Sequence, residues 1–199
     1  MIRRIFGGGL RAAGLVLAIA PACLIAARHA GAQTAGSSAA ISISEEKVKA
    51  AFVGRFLHYV EWPASSFPQP DTPYVIGIVG AADVAQELEK SIATQGAGKR
   101  PVVVRRLGDR DPVQGMHALY VGGAGRSQLT RWIGLASREP ILLITEVDGV
   151  LPHGSMINFH LADDRVRFDV ALEPVEKAGL KLNSRLLSVA MTVIKSPAP

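Results

Sequence analysis

The sequence predicts an α/β protein: a single compact domain on a mostly parallel sheet, with helices on both faces and a C-terminal antiparallel hairpin. Three observations carry this. Short runs that are apolar on both faces, residues 74–79 (YVIGIV) and 141–145 (ILLIT), have the composition of buried parallel strands. They alternate with segments of helical periodicity. From Met156 the pattern changes to a two-residue alternation over 156–162 and 166–172, joined at Asp163-Asp164, which reads as a hairpin with carboxylates suited to its turn.

Taken in order, Ser44 followed by Glu45 and Glu46 marks a helix start, with acids at the positive end of the dipole. Val48, Phe52, Phe56, Tyr59 and Val60 then make one apolar face, and Pro63 stops the helix after Glu61-Trp62. Residues 63–73 hold four prolines and form a loop. After the strand at 74–79, residues 83–93 read as a helix through Val84, Leu88 and Ile92. Gly96, Gly98 and Pro101 separate it from a strand at 102–107. A third strand spans 118–121, and Gly122 to Gly125 turn into a helix holding Leu129, Trp132, Ile133 and Leu135. Pro140 opens the strand at 141–145. Beyond the hairpin, Pro174 starts a helical segment that Gly179 ends. Leu182, Leu186, Val189, Ala190 and Val193 form the stripe of a final helix.

The N-terminus reads as an address. Arg3, Arg4 and Arg11 precede the apolar run Ala12 to Ala27, which leads to Ala30-Gly31-Ala32, the pattern of a secretory signal peptide over 1–32, cleaved after Ala32. A membrane anchor is the weaker reading, because Pro21 interrupts the run and it falls short of the roughly 20 residues a span needs. The expected location is the periplasm. Residues 33–43, rich in Ala, Ser and Gly, read as a flexible leader, 44–195 as the domain, and 196–199 as a loose tail. The chain has 22 basic and 17 acidic residues; removing the four arginines of 1–32 leaves 18 against 17. Apparent basicity is therefore mostly targeting, and nucleic-acid binding loses its support. Cys23, the only cysteine, lies in the signal, so disulfides, thiolate metal sites and thiol nucleophiles are excluded from the exported domain.

No catalytic constellation emerges from the rest. His58, His117, His153 and His160 fall on different elements without the paired spacing of a zinc site. Asp163 and Asp164 are explained by their turn. No Gly-x-Ser-x-Gly elbow is present. The turn from Val121 to Arg126 follows a strand and opens a helix, which offers backbone amides to a small anionic ligand, but it lacks the lysine and hydroxyl of a phosphate loop. Arg55 and Arg185 flank the apolar stripes of the first and last helices. Each has a structural reading, a core pair with Glu61 or Asp169, and a functional one, contact with a partner or a carboxylate ligand.

Several stretches together resemble the YfiR family of periplasmic proteins: Val48-Lys-Ala-Ala-Phe52, Phe56-Leu-His-Tyr-Val-Glu-Trp-Pro63, Ile76-Gly-Ile-Val-Gly80, Ile157-Asn-Phe159, Arg165-Val-Arg-Phe168 and Ala178 to Leu187. The likeness runs from about Lys47 to Leu187. It implies a non-enzymatic regulator without a cofactor, which represses an inner-membrane diguanylate cyclase or sensor by contacting its periplasmic domain, and which tends to form a homodimer. Arg55, Glu61, Arg126, Asn158, Arg167 and Arg185 are the residues expected to touch such a partner, or a ligand. The alternative is a periplasmic small-ligand binding module. The chain departs from the family's pattern in lacking its cysteines, one of which is replaced by Met116 ahead of His117, and in carrying Gly154-Ser155 where Gly-Gly is usual.

Overall fold

The computed structural model describes residues 34–95 and 100–195; the 1–32 signal segment with its cleavage point, and the 196–199 tail, lie outside the described residues. Helix α1 (Thr34–Phe56) leads to a short strand, β1 (Val60–Glu61). Strand β2 (Tyr74–Val79), helix α2 (Ala82–Gln95) and strand β3 (Val102–Arg106) follow. Next come β4 (Ala118–Val121), a 3-10 turn (Gly123–Gln128) running into α3 (Leu129–Ala136), and β5 (Leu142–Thr145). A second such turn (Leu151–His153) precedes the hairpin of β6 (Ile157–Ala162) and β7 (Arg165–Ala171). The chain closes with α4 (Leu172–Lys177), β8 (Lys181–Leu182), α5 (Ser184–Leu187) and β9 (Thr192–Ile194).

Seven strands make one sheet in the order β3-β2-β4-β5-β6-β7-β9, and β1 pairs with β8 in a separate antiparallel ribbon. Strands β3, β2, β4, β5 and β6 are mutually parallel, β7 returns antiparallel to β6, and β9 lies parallel to β7. This is the expected mostly parallel α/β sheet with its hairpin.

Register explains how the two faces are filled. Ile78, Tyr120, Ile144, Ile157 and Val170 lie side by side across five strands. On that face Phe52 and Phe56 of α1 pack into Phe159 and Phe168, with centroids 5.1 Å apart for Phe56 and Phe168 and 5.4 Å for Phe52 and Phe168. Such tilted pairs add about 0.5–1.5 kcal/mol each to the burial of their area. Because side chains alternate along a strand, Leu119, Leu143, Thr145 and Asn158 point to the opposite face, toward α3.

The hairpin turn follows the sequence closely. Asp163 and Asp164 have φ of 50° and 54°, both left-handed, as a two-residue loop matching the strand twist requires. Gly179 (φ 70°) stops α4, where Leu180 N donates to Val175 O.

Three elements differ from expectation. Helix α1 starts at Thr34 rather than Ser44. Once the Glu45–Phe56 segment is helical, extension through an alanine-rich stretch needs no second nucleus. At its other end α1 stops at Phe56, and Val60–Glu61 becomes a strand instead of a last turn. The final helix is replaced by β8, a single turn of α5, and β9. Asn183 decides this locally: its N–H donates to Tyr59 O, and its side chain accepts from Arg185 N. The β-branched run from Thr192 to Ile194 then adds to the open edge of β7, a partner far away in sequence.

Glycine is required where backbones meet. At Gly80 (φ 61°) a Cβ would lie 2.2 Å from Gly125 N, whereas at Gly115 (φ 74°) nothing stands within 4 Å. Gly115→Ala should cost only the left-handed strain, about 1 kcal/mol. Gly80→Ala should cost at least twice as much, because two loops must part. Urea unfolding of both variants tests this; equal losses would show that the approach at Gly80 is not a constraint.

Candidate functional site

From β2 the chain crosses to β3 on one side, and from β4 it crosses to β5 on the other. The crevice beyond the C-terminal ends of β2 and β4 is therefore the topological switch point, where open α/β sheets hold their ligands. Here it is filled by the protein itself. Gly80, at the end of β2, meets Gly125. A Cβ on Gly122 would come within 2.6 Å of Ala81 Cβ and 2.9 Å of Glu146 Oε1.

Glu146 follows β5 directly and turns its carboxylate into this crevice. Oε1 accepts from Gly123 N at 2.6 Å, and Oε2 accepts from Tyr120 Oη at 2.6 Å and from Lys49 Nζ at 2.5 Å. Lys49 comes from α1, is 7% exposed, and also pairs with Glu45 one turn earlier at 2.5 Å. Burial alone would lower the Lys49 pKa, but the hydrogen bonds and charges of Glu146 and Glu45 outweigh it and hold the ammonium above the ordinary lysine range. Burial, and then the Glu146 charge, push the Tyr120 phenol far up, so it remains a donor. Of the amides expected at the 121–126 turn for a small anion, Gly123 N is engaged, and the anion it holds is the chain's own Glu146.

Beside this centre lies a neutral network. Thr145 Oγ1 donates to Asn158 Oδ1 at 2.6 Å and lies 2.7 Å from Ser155 Oγ, while Val147 N donates to Asn158 Oδ1 at 3.0 Å. Ser155 thereby earns its place after Gly154. Asn158 is buried, and its side-chain carbonyl is spent on the loop after β5.

The other residues read from the sequence are exposed and do not converge in a single cluster of contacts. Arg55 lines a groove of about 830 Å³ with His58, Tyr59 and Arg100, between α1, α2 and β3. Arg126 sits in the 3-10 turn before α3, and Glu61 faces Lys181 across the small ribbon. Arg167 lies opposite His160 on the hairpin, and Arg185 sits in α5. The core pairs considered for Arg55 and Arg185 do not form. Both guanidinium groups belong to exposed residues, and Asp169 lies 3.5 Å from His160 instead. With no helix over 182–193, Arg185 has no apolar stripe to flank.

Sequence reading missed three residues, Lys49, Tyr120 and Glu146, and took His117 only as one of four scattered histidines. The spacing of Glu45 and Lys49 was the available signal for the first. His117, 2% exposed, locks the loop that crosses below β2 and β4. Its Nδ1 accepts from Val75 N at 3.1 Å, and its Nε2 lies 3.1 Å from Ser66 O, which assigns the proton to Nε2. Trp62, Phe67 and Tyr74 surround the ring, and the Arg100 guanidinium lies 4.2 Å over Phe67. A separate apolar cavity of about 720 Å³ lies between α3, the Leu151–His153 turn and α4, with Ile133, Leu143, Met156 and Ile194 among its walls.

The class is an open α/β sheet, covered by helices, whose switch point is sealed by its own side chains. A family model described as YfiR/HmsC-like matches residues 46–191, and the chain belongs to that family. It is a regulatory rather than a catalytic family. The chain is also similar to a protein of Aeropyrum pernix named as a LysW-aminoadipate/LysW-glutamate kinase, 33% identical over 93 residues, which takes in 47% of this chain and 29% of that protein. The match thus spans under a third of the kinase, and no activity carries over from it. Among the described residues, no helix is long and apolar enough to cross a membrane.

Two predictions follow from the buried polar groups. Lys49→Met strands the Glu146 carboxylate and should destabilise by about 3 kcal/mol. Adding Glu146→Gln should restore part of this, a recovery that urea unfolding of both variants reads directly. Burial lowers the His117 pKa below its ordinary value, with Arg100 acting in the same direction against the Ser66 carbonyl. A histidine that protonates more readily when unfolded destabilises the fold in acid. Stability should therefore hold above about pH 6.5 and fall as pH drops below it, until the lowered folded pKa is reached. His117→Gln should flatten that slope in unfolding measured between pH 7.5 and 5.

Proposed function

We propose that this chain is a periplasmic regulator without chemistry of its own, which lowers cyclic-di-GMP output by contacting the extracytoplasmic domain of a membrane diguanylate cyclase or related sensor. The observation that carries this reading is membership of the YfiR/HmsC-like family over 46–191. The filled switch point supports it, because the usual ligand crevice of such a sheet is taken by Glu146 and Lys49. Recognition then falls to the surface, where Arg55, Arg126, Arg167 and Arg185 are exposed and available to an acidic partner. The signal segment, the homodimer and the partner belong to this proposal. Within it, regulation runs through contacts, since the chain's only cysteine is in the signal.

A second reading, a small-ligand sensing module, is favoured by the apolar cavity of about 720 Å³, a size suited to small molecules. A ligand held there would raise the melting temperature by mass action.

Deleting the gene should raise cellular cyclic-di-GMP, and restoring it should bring the level back. Arg185→Glu, at an exposed position, should leave the melting temperature unchanged and weaken repression. Unaltered cyclic-di-GMP on deletion, across several growth conditions, would overturn the proposal.

A further inference from the structure

The groove between α1, α2 and β3 has a lining that the fold by itself does not explain. Ala51, Gly54, Arg55 and His58 recur three and four residues apart, so α1 and the turn after it present them on one side. Leu88 and Ile92 line the groove from α2 with the same spacing, and Val102 of β3 adds the edge of the sheet. The volume of about 830 Å³ is that of a small-molecule site.

Gly54 is the first sign that this space is kept open. It lies inside α1 without a positive φ, at a place where glycine is the least favourable residue after proline. A Cβ there would meet only Leu88 Cδ1, at 3.5 Å, which is ordinary contact. Neither backbone nor packing requires the missing side chain. Its effect is to leave the groove clear.

The second sign is charge. Among the described residues that line the groove none is acidic, whereas Arg55 and Arg100 both lie there. Arg55 forms no ion pair with any described residue. Arg100 is held in place, since its guanidinium donates to Thr72 O and lies 4.2 Å over Phe67. A cation fixed beforehand loses little freedom when an anion arrives.

The lining also selects the anion. One guanidinium is unengaged and the other is partly spent, which suits a single negative charge better than the near-double charge of a phosphate monoester. The floor is aliphatic, from Ala50, Leu88, Ile92 and Val102, and among the described lining residues only His58 and Tyr59 carry rings. A nucleobase would lack faces to stack on, whereas methylene groups gain in proportion to the apolar area they cover.

We propose that this groove binds an aliphatic monocarboxylate, a free fatty-acid anion, with its carboxylate on Arg55 in the field of Arg100 and its chain along Gly54, Leu88 and Ile92. Phe67 touches both Arg100 and the His117 ring, the latter at 4.6 Å between centroids. The groove is thereby joined to the loop that His117 locks.

Binding is measured on the purified protein alone, so its outcome is separate from that of the cyclase reading. Octanoate is titrated beside octanol, acetate and octyl phosphate, with amide chemical shifts and melting temperature as readouts. Octanoate should saturate, move the amides of Gly54 and Ile92, and raise the melting temperature by mass action. Octanol, which lacks the charge, and acetate, which lacks the chain, should each bind about tenfold more weakly. Arg55→Gln should cost a similar factor and leave the melting temperature of the free protein unchanged. Gly54→Ala should raise that temperature, and Gly54→Met, which fills the groove, should abolish binding in a protein that stays folded. No saturable octanoate binding, octanol or octyl phosphate bound as tightly as octanoate, or affinity indifferent to Gly54→Met would each overturn the site.

Discussion

The carboxylate of Glu146 is the group on which the arrangement of this fold depends. It lies where three separate pieces of chain must meet: the end of β5 that carries it, β4 and its following turn through Tyr120 and Gly123, and helix α1 through Lys49. Removing an ammonium and a carboxylate from water costs several kcal/mol each, and their attraction repays this only when further hydrogen bonds complete the geometry. Here they do. Glu146 accepts from a backbone amide, a phenol and an ammonium, and Lys49 adds Glu45 as a second partner. A hydrophobic plug could fill the same space, but it would leave the buried Tyr120 hydroxyl unsatisfied. The ion pair therefore specifies which faces of α1 and the β4 turn dock, a task that apolar packing by itself performs poorly.

The glycines belong to the same device. Gly80 and Gly122 permit a backbone approach that any side chain would block, and the approach brings Gly123 N within reach of Glu146. In a nucleotide-binding sheet, glycines at this place make room for a phosphate. In this chain they make room for another loop. One backbone solution has been turned from binding to closure, and the anion it holds is internal.

Much of the fold could be read from the sequence because its signals are local. Residues 74–79, 118–121 and 141–145 are apolar on both faces, which only a covered parallel strand explains. Asp163 and Asp164 announced a turn that demands positive φ at both positions. The misread segments are those decided at long range. The 182–193 stripe fits helical spacing, yet Lys181–Leu182 finds β1 and Thr192–Ile194 finds the free edge of β7. Helical periodicity says nothing of an unpaired strand edge elsewhere. The candidate site follows the same logic. Lys49 looks like the solvated flank of an amphipathic helix until the fold delivers Glu146 to it across 97 positions. Of the two readings open for Arg55 and Arg185, the core pair is the one the fold does not supply: both residues stay exposed.

A sheet sealed at its switch point leaves two kinds of place for biology: its outer surface, and gaps away from the strand ends. The outer surface bears the free arginines. The gaps are the groove between α1, α2 and β3 and the apolar cavity between α3, the Leu151–His153 turn and α4. The β9 edge is held with less redundancy than the α1 face. The α1 face carries the four-phenylalanine cluster and the Lys49 pair, whereas β9 hangs on three register positions and the Met191 amide. Elements that respond to a signal come from the less stable end of a structure, because only there does a modest binding energy move a population. The α1 face is thus suited to hold the fold, and the β7–β9 edge is where a modest binding energy registers.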